Sequence, residues 1–146
     1  RIKTESVSAR PGVTLTAAIW RRPELARDRF FQDAPAWLNA GTLDVGMPMI
    51  YTPDLAQWTD DIKAWRAAVP RAPITPGMGI YMHTTPEQTL DQAAAAANLR
   101  TQGLAMFAYA SMFDSVDPNQ DKSAKEGSLR VMRRATVKGI WGTGPR

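Results

Sequence analysis

Residues 43–69 read LDVGMPMIYTPDLAQWTDDIKAWRAAV and combine a short apolar run with a helical pattern. The run Leu43–Tyr51 is nearly continuous in hydrophobicity, which is typical of a strand buried on both faces of a parallel sheet. After it, Thr52-Pro53-Asp54 supplies a hydroxyl cap, a proline for the first helical position and an acid for the first turn. Apolar residues then recur at helical spacing to the end of the stretch. The stretch therefore predicts one strand–helix unit.

Similar units repeat along the chain at intervals of about thirty residues, the length of a strand with its crossover helix. The apolar runs are Val13–Trp20, Leu43–Tyr51, Ile74–Met82 and Leu104–Ser111. Between them, Thr85-Pro86-Glu87-Gln88 is a capping box for a second helix, with Gly103 as its stop signal. Asp33-Ala34-Pro35 predicts a shorter helix, and residues 1–10 resemble the last turns of another. The order of elements predicts an α/β protein.

The helical spacing also predicts which side chains face inward. Trp37, Trp58 and Trp65 lie on helix faces, so we expect them in the core. A last helix is predicted over Ser128–Val137, with its arginines outward. Its inward residues are expected to be Leu129, Val131, Met132 and Val137.

Composition excludes several classes of protein. The 146 residues are 44% hydrophobic and 22% charged, which is typical of a globular domain and not of a disordered or fibrous chain. No apolar stretch approaches the roughly 18 residues of a membrane span. Cysteine is absent, so neither disulfides nor a thiol nucleophile are available, and the compartment stays undecided.

The net charge of +4 is concentrated in the last part of the chain. Residues 118–146 hold seven bases and two acids, whereas residues 1–117 hold eleven bases and twelve acids. Proteins that bind nucleic acid usually spread basic residues over the docking face of the folded domain, so we expect no nucleic-acid partner. We divide the chain into an α/β domain, residues 1–117, and a basic tail with a short helix, residues 118–146.

Candidate binding residues follow from the rule that chemistry in parallel α/β folds gathers at the carboxyl ends of strands. The flat faces of aromatic rings, beside hydrogen-bonding groups, suit sugar rings. Each candidate at these strand ends also has a structural interpretation. The aromatic rings could pack at the rim, the arginine could be solvated, and the histidine could be a structural loop residue. The candidates for substrate contact are Trp20, Arg21, Tyr51, Tyr81, His83 and Tyr109.

Carboxylates are missing from these strand ends, although glycosidic cleavage usually needs two of them facing each other. Asp44 lies at a strand start and Asp54 at a helix start. Asp114 and Asp117 follow the last run, and Asp114 is the one acid that we expect could reach a site. One histidine and scattered acids give no metal-ligand spacing, so neither a metal nor a cofactor is expected.

The glycines of residues 77–79 lie inside an apolar run instead of a strand-to-helix turn. They therefore fail the dinucleotide-binding fingerprint. Glycine in a strand more often permits close packing or a bulge, and we expect that role here.

Five segments carry a resemblance to a known family. In order they are RPGVTL (10–15), WLNAGTLD (37–44), MPMIY (47–51), PGMGIY (76–81) and GLAMFAY (103–109). Over about residues 8–115 the chain resembles the C-terminal half of the family-10-like glycosyl-hydrolase-like barrels. It is similar also to the hydrolase domain of bacterial poly-N-acetylglucosamine-processing proteins.

The resemblance implies half of a (β/α)8 TIM barrel, strands 5–8, from a secreted or envelope-associated glycoside hydrolase acting on a polysaccharide. A complete barrel has roughly 250 residues, so we expect the chain to be a C-terminal portion. Tyr51, Tyr81 and Tyr109 match positions that would line the substrate. The catalytic acids of such barrels lie at the ends of strands 3 to 5, and strand 5 here ends in Ile19-Trp20-Arg21. No catalytic residue is carried over, and we expect the isolated chain to be inactive.

Two other hypotheses remain. The chain could be a non-catalytic carbohydrate-binding or structural half-barrel that self-associates, or an open, doubly wound α/β enzyme of unrelated chemistry. Exposed strand edges invite pairing. We therefore expect the edges at Val13–Trp20 and Leu104–Ser111 to be covered by a second copy in a homodimer, a partner fragment or a terminal segment.

Overall fold

The computed structural model describes residues 2–113 and 124–142, with the side chains of 2–113 and 127–140. Strands and helices alternate, as the repeat predicts. The elements are α1 (Ile2–Ala9), β1 (Thr16–Ile19), α2 (Pro23–Phe30), α3 (Ala34–Asn39), β2 (Val45–Pro48), α4 (Leu55–Ala68), β3 (Gly77–Gly79), α5 (Pro86–Asn98), β4 (Ala105–Phe107) and α6 (Ala124–Gly142). Single 3-10 turns follow β3 at Ile80–Met82 and β4 at Tyr109–Ser111.

The strands form two small parallel sheets. Strand β1 pairs with β2, and β3 pairs with β4. One isolated parallel bridge, Gly46 with Ile74, lies between the two pairs. The mixed α/β class is thereby confirmed.

The paired strands are shorter than the apolar runs that predicted them, at three or four residues each. Proline accounts for the break between the two sheets, because it has no N–H to donate to a ladder. Pro48 follows Gly46 on the same edge of β2, and Pro73 precedes Ile74, so neither has an N–H that could extend the pairing on its side of the bridge. The contact there is reduced to Gly46 N–H donating to Pro73 O and Thr75 N–H donating to Gly46 O. At the end of β3 the backbone turns into a 3-10 turn, which ends the strand at Gly79.

Helix α4 connects the two sheets through its tryptophans. Trp58 and Trp65 are fully buried, as predicted, with Ile62 between them. The indole Nε1 of Trp65 donates to Arg21 O, after β1, at 2.9 Å, and that of Trp58 donates to Gly77 O, in β3, at 3.2 Å. The prediction for Trp37 was wrong, because this residue is exposed and lines a groove beside α1.

The helix starts agree with the sequence at two of three places. Asp33 caps α3 and the capping box of Thr85 begins α5, both as predicted. Helix α4 starts later than expected, because the cap is Asp54, whose carboxylate accepts from Gln57 N–H at 2.9 Å. Helix α5 ends at Asn98, before the predicted stop, with Arg100 in the left-handed region at φ 52°. Helix α2 was not predicted.

Helix α6 packs against α5 and closes a second core cluster. Val137 joins Met78, Ile80 and Met112 in that cluster. The predicted orientation is wrong in two places, since Val131 is exposed and Arg133 is buried. Among the helices in the described ranges, none is long and apolar enough to cross a bilayer.

Candidate functional site

Three aromatic side chains from successive strand ends form one surface, which we call the aromatic cluster: Tyr51, Tyr81 and Phe107. The rings of Tyr51 and Phe107 stack, with centroids 5.0 Å apart and planes 18° apart. Tyr81 meets both edge-on, at 6.3 Å from Tyr51 and 6.2 Å from Phe107. Tyr81 is 46% and Phe107 51% exposed, so the cluster presents ring surface to solvent.

Strand β3 has no side chains at the two positions beneath this cluster. A Cβ on Gly77 would lie 2.9 Å from Tyr51 Cε1, and a Cβ on Gly79 would lie 3.0 Å from Tyr51 Cβ. Gly79 is also the register partner of Phe107. The glycines therefore let the Tyr51 ring cross β3 and reach the ring from β4, which agrees with the close-packing role predicted for them.

Burial affects the chemistry of the Tyr51 hydroxyl. Its pKa is raised above the usual value of 10.0, chiefly by desolvation and secondarily by Tyr81. The Tyr51 side chain is therefore a neutral hydrogen-bonding group at physiological pH and not an anion.

Tyr109, predicted with the other tyrosines, contributes to a separate pair. Its ring stacks on Phe113 at 4.4 Å, and the Arg134 guanidinium lies 5.8 Å from the Phe113 ring centre. Tyr109 is 70% exposed. The residue of this segment that joins the aromatic cluster is Phe107, at the end of β4 and two residues before Tyr109. Phe107 was not among the predicted site residues.

Trp20 and Arg21 follow β1 and have partners within the chain. The Trp20 ring packs on Phe30 at 4.2 Å, and its backbone N–H donates to the Gln32 side chain. Arg21 donates from Nε to Asp61 Oδ2 at 2.9 Å and from Nη2 to the same oxygen.

Asp61, on α4, is the carboxylate that organises this corner, and the sequence analysis did not single it out. It is 1% exposed, and Arg22 Nε lies 2.7 Å from its Oδ1, as an ion pair outside hydrogen-bond alignment. A polar cavity of about 520 Å³ is lined by Arg21, Arg22, Leu25, Asp54, Gln57 and Asp61, among others. A carboxylate held by two arginines is fixed in position, which suits it to orient them.

His83 is fully buried, so the structure places it inside the fold, away from solvent. Its Nδ1 lies 2.8 Å from Thr89 Oγ1. Burial, followed by the charge of Arg133, lowers the pKa of the imidazole below 6.5, while Gln92 opposes this shift. His83 is thus a neutral, structurally bonded histidine near pH 7.

The remaining acids singled out in the sequence have structural contacts or lie outside the described residues. Asp44 accepts from Lys3 Nζ and from Leu15 N–H, which lowers its pKa. Asp54 caps α4. Asp114 and Asp117 lie outside the described residues. In the described ranges, no three histidine or acidic side chains gather as a metal site would require.

Comparisons of the chain with protein-family models, with curated proteins and with solved structures return no match.

Proposed function

We propose that the chain is the C-terminal half of a glycoside-hydrolase-like (β/α)8 barrel and that its aromatic cluster contacts a polysaccharide. The carrying observation is that Tyr51, Tyr81 and Phe107 come from three successive strand ends and make one partly exposed surface. Sugar rings present C–H faces that pack on such rings, while their hydroxyls need polar partners such as the tyrosine hydroxyls.

The arrangement of the strands supports the first part of this proposal, the half-barrel fold. Both strand pairs are parallel, and the Gly46–Ile74 bridge places the pairs side by side in chain order. Consecutive parallel strands joined by helices are the pattern from which such barrels are built. The proposed role of the chain is substrate contact, and the parent protein would supply the catalytic carboxylates from elsewhere.

The test is a titration of the chain with oligomers of N-acetylglucosamine, glucosamine and glucose, followed by NMR of the aromatic side chains. We expect one class of oligomer to shift the Tyr81 and Phe107 ring resonances. Tyr81→Ala and Phe107→Ala should each weaken binding by about tenfold, the effect of losing about 1.4 kcal/mol of contact.

The matched control is Phe31→Ala, since Phe31 is an exposed ring outside the cluster. It should bind as the wild type does. If no oligomer binds, or if the two cluster variants bind normally, the proposed function is wrong. Hydrolysis of a polymer by the chain alone would contradict only its expected inactivity.

The unpaired strand edges favour a second candidate function, a non-catalytic half-barrel that self-associates. Within the described ranges, β1 is paired only with β2, and β4 only with β3, so each has one open edge. A second copy could pair its β1 with β4 in a parallel arrangement. Sedimentation over a range of concentrations should then show a dimer. A monomer with fast amide exchange at both edges would exclude this candidate.

A further inference from the structure

Helix α6 contains an arginine that is buried in the fold, although the sequence predicts its arginines to face outward. Arg133 is 2% exposed. Its Nε donates to the backbone carbonyl of His83 at 2.9 Å, and its Nη2 donates to that of Tyr81 at 2.7 Å.

One of these carbonyls lies in the short turn that carries the Tyr81 ring, and the other belongs to the residue directly after that turn. The turn spans Ile80–Met82 and follows β3 directly. At its far end, His83 is held by Thr89 of α5 through the Nδ1–Oγ1 contact of 2.8 Å. The backbone is thus bonded on both sides of Met82, while the Tyr81 ring stays about half exposed beside Tyr51 and Phe107.

The geometry of arginine explains why this residue type suits the position. A guanidinium is planar and presents its N–H groups in a rigid fork, so it can hold two acceptors at a fixed separation. The lysine ammonium is a compact charge on a flexible stem, and it would not fix both carbonyls in the same way.

The backbone next to Tyr51, after β2, is also held by a side chain from a helix. Gln92 of α5 donates from Nε2 to Thr52 O, one residue after Tyr51, at 2.8 Å. Gln92 and His83 are both fully buried. Helices α5 and α6 therefore bond to the backbone next to two of the three rings.

We propose that Arg133 is a positioning residue for Tyr81, and that α6 is thereby part of the glycan-binding site. The proposal rests on the function proposed above. It assigns to the basic C-terminal segment a specific task, which is to fix the angle between the Tyr81 ring and the stacked pair of Tyr51 and Phe107.

The test combines Arg133→Met, which removes the fork and retains an unbranched apolar stem, with Tyr81→Ala and with the double variant. The probe is the N-acetylglucosamine hexamer, or the oligomer that the first titration selects. We expect Arg133→Met to weaken binding by about tenfold and Arg133→Lys by less. If Arg133 acts through Tyr81, the double variant should bind as Tyr81→Ala does, because coupled residues are not additive. Lys138→Met, at an exposed position of the same helix, should bind normally.

A general loss of structure would not produce this pattern. It would weaken binding additively in the double variant, and such additivity would overturn the proposal. If Arg133→Met does not fold, Arg133→Lys in the wild-type and Tyr81→Ala backgrounds completes the same comparison.

A second readout separates this inference from the proposed function. NOEs between the Tyr81 and Phe107 rings should weaken in Arg133→Met, while those of the buried Trp58 and Trp65 persist. If the wild type binds none of the oligomers, the proposed function fails, yet the NOEs still test the positioning. Unchanged Tyr81–Phe107 NOEs would overturn it.

Discussion

Replacing Gly79 by alanine tests whether the missing Cβ in β3 is what allows the aromatic cluster to form. The new Cβ would lie 3.0 Å from Tyr51 Cβ, 3.2 Å from Tyr51 Cα and 3.3 Å from Tyr81 Cε1. Two of these three neighbours belong to or adjoin the backbone, so rotation of a ring cannot relieve the contact. The residue has φ −82°, outside the left-handed region that favours glycine, so the effect on the folded state is steric.

The magnitude follows from two opposing effects. Adding a methyl group to a close-packed position typically costs about 1–3 kcal/mol. Alanine also restricts the unfolded chain, which stabilises the fold by about 0.4–1 kcal/mol. We expect Gly79→Ala to lower the free energy of unfolding by about 1–2 kcal/mol on balance. With a urea dependence of about 1–3 kcal/mol per molar, the unfolding midpoint should fall by about 1 M.

The assay is urea unfolding followed by tryptophan fluorescence, with Gly139→Ala as the control. A Cβ at Gly139 meets nothing within 4 Å, and this residue lies inside α6. That variant should gain about 0.5–1 kcal/mol, since glycine weakens a helix interior. If Gly79→Ala is as stable as the wild type and its Tyr51 ring contacts are unchanged, the steric reasoning is wrong.

A further prediction concerns the buried carboxylate of Asp61. Asp61→Asn should destabilise the fold by about 1–3 kcal/mol, less than a fully buried pair, because its arginine partners are partly exposed. Asp60→Asn, at an exposed neighbouring acid, should change the free energy of unfolding by less than about 0.5 kcal/mol. If Asp61→Asn and Asp60→Asn changed the free energy of unfolding equally, the role of Asp61 in holding the two arginines would be refuted.

His83 is the only histidine of the chain, so its ring resonance can be titrated directly, and its pKa should lie below 6.5. Because the unfolded chain then binds the proton more readily, stability present above pH 6.5 should be lost as the pH falls through the folded pKa, by at most about 1.4 kcal/mol per pH unit. A folded pKa at or above 6.5 would contradict this.

The outline of the fold could be read from local patterns. The apolar runs, the capping box at Thr85 and the Asp33 cap are short-range signals, and each predicted an element that the structure contains. The thirty-residue repeat gave their order. The break between the sheets was not anticipated, because it depends on where Pro48 and Pro73 lie relative to a partner strand.

The site was only partly predictable for the same kind of reason. Tyr51 and Tyr81 were singled out by their position at strand ends, and they do meet. Phe107 was not predicted, because the apolar run Leu104–Ser111 continues past it, whereas strand β4 ends there. Nothing local marks Asp61, whose two arginine partners lie about forty residues earlier in the chain.

By itself, the sequence determined the alternation of strands and helices and the burial of Trp58 and Trp65. It also determined that the glycines of β3 allow close packing. These depend on spacing, propensity and caps, which act over a few residues. Only the tertiary structure decided which aromatic rings share a surface and that Arg133 points inward. Those outcomes depend on register and on contacts between residues far apart in the chain, where the cost of burying a guanidinium is met by carbonyls of a distant turn.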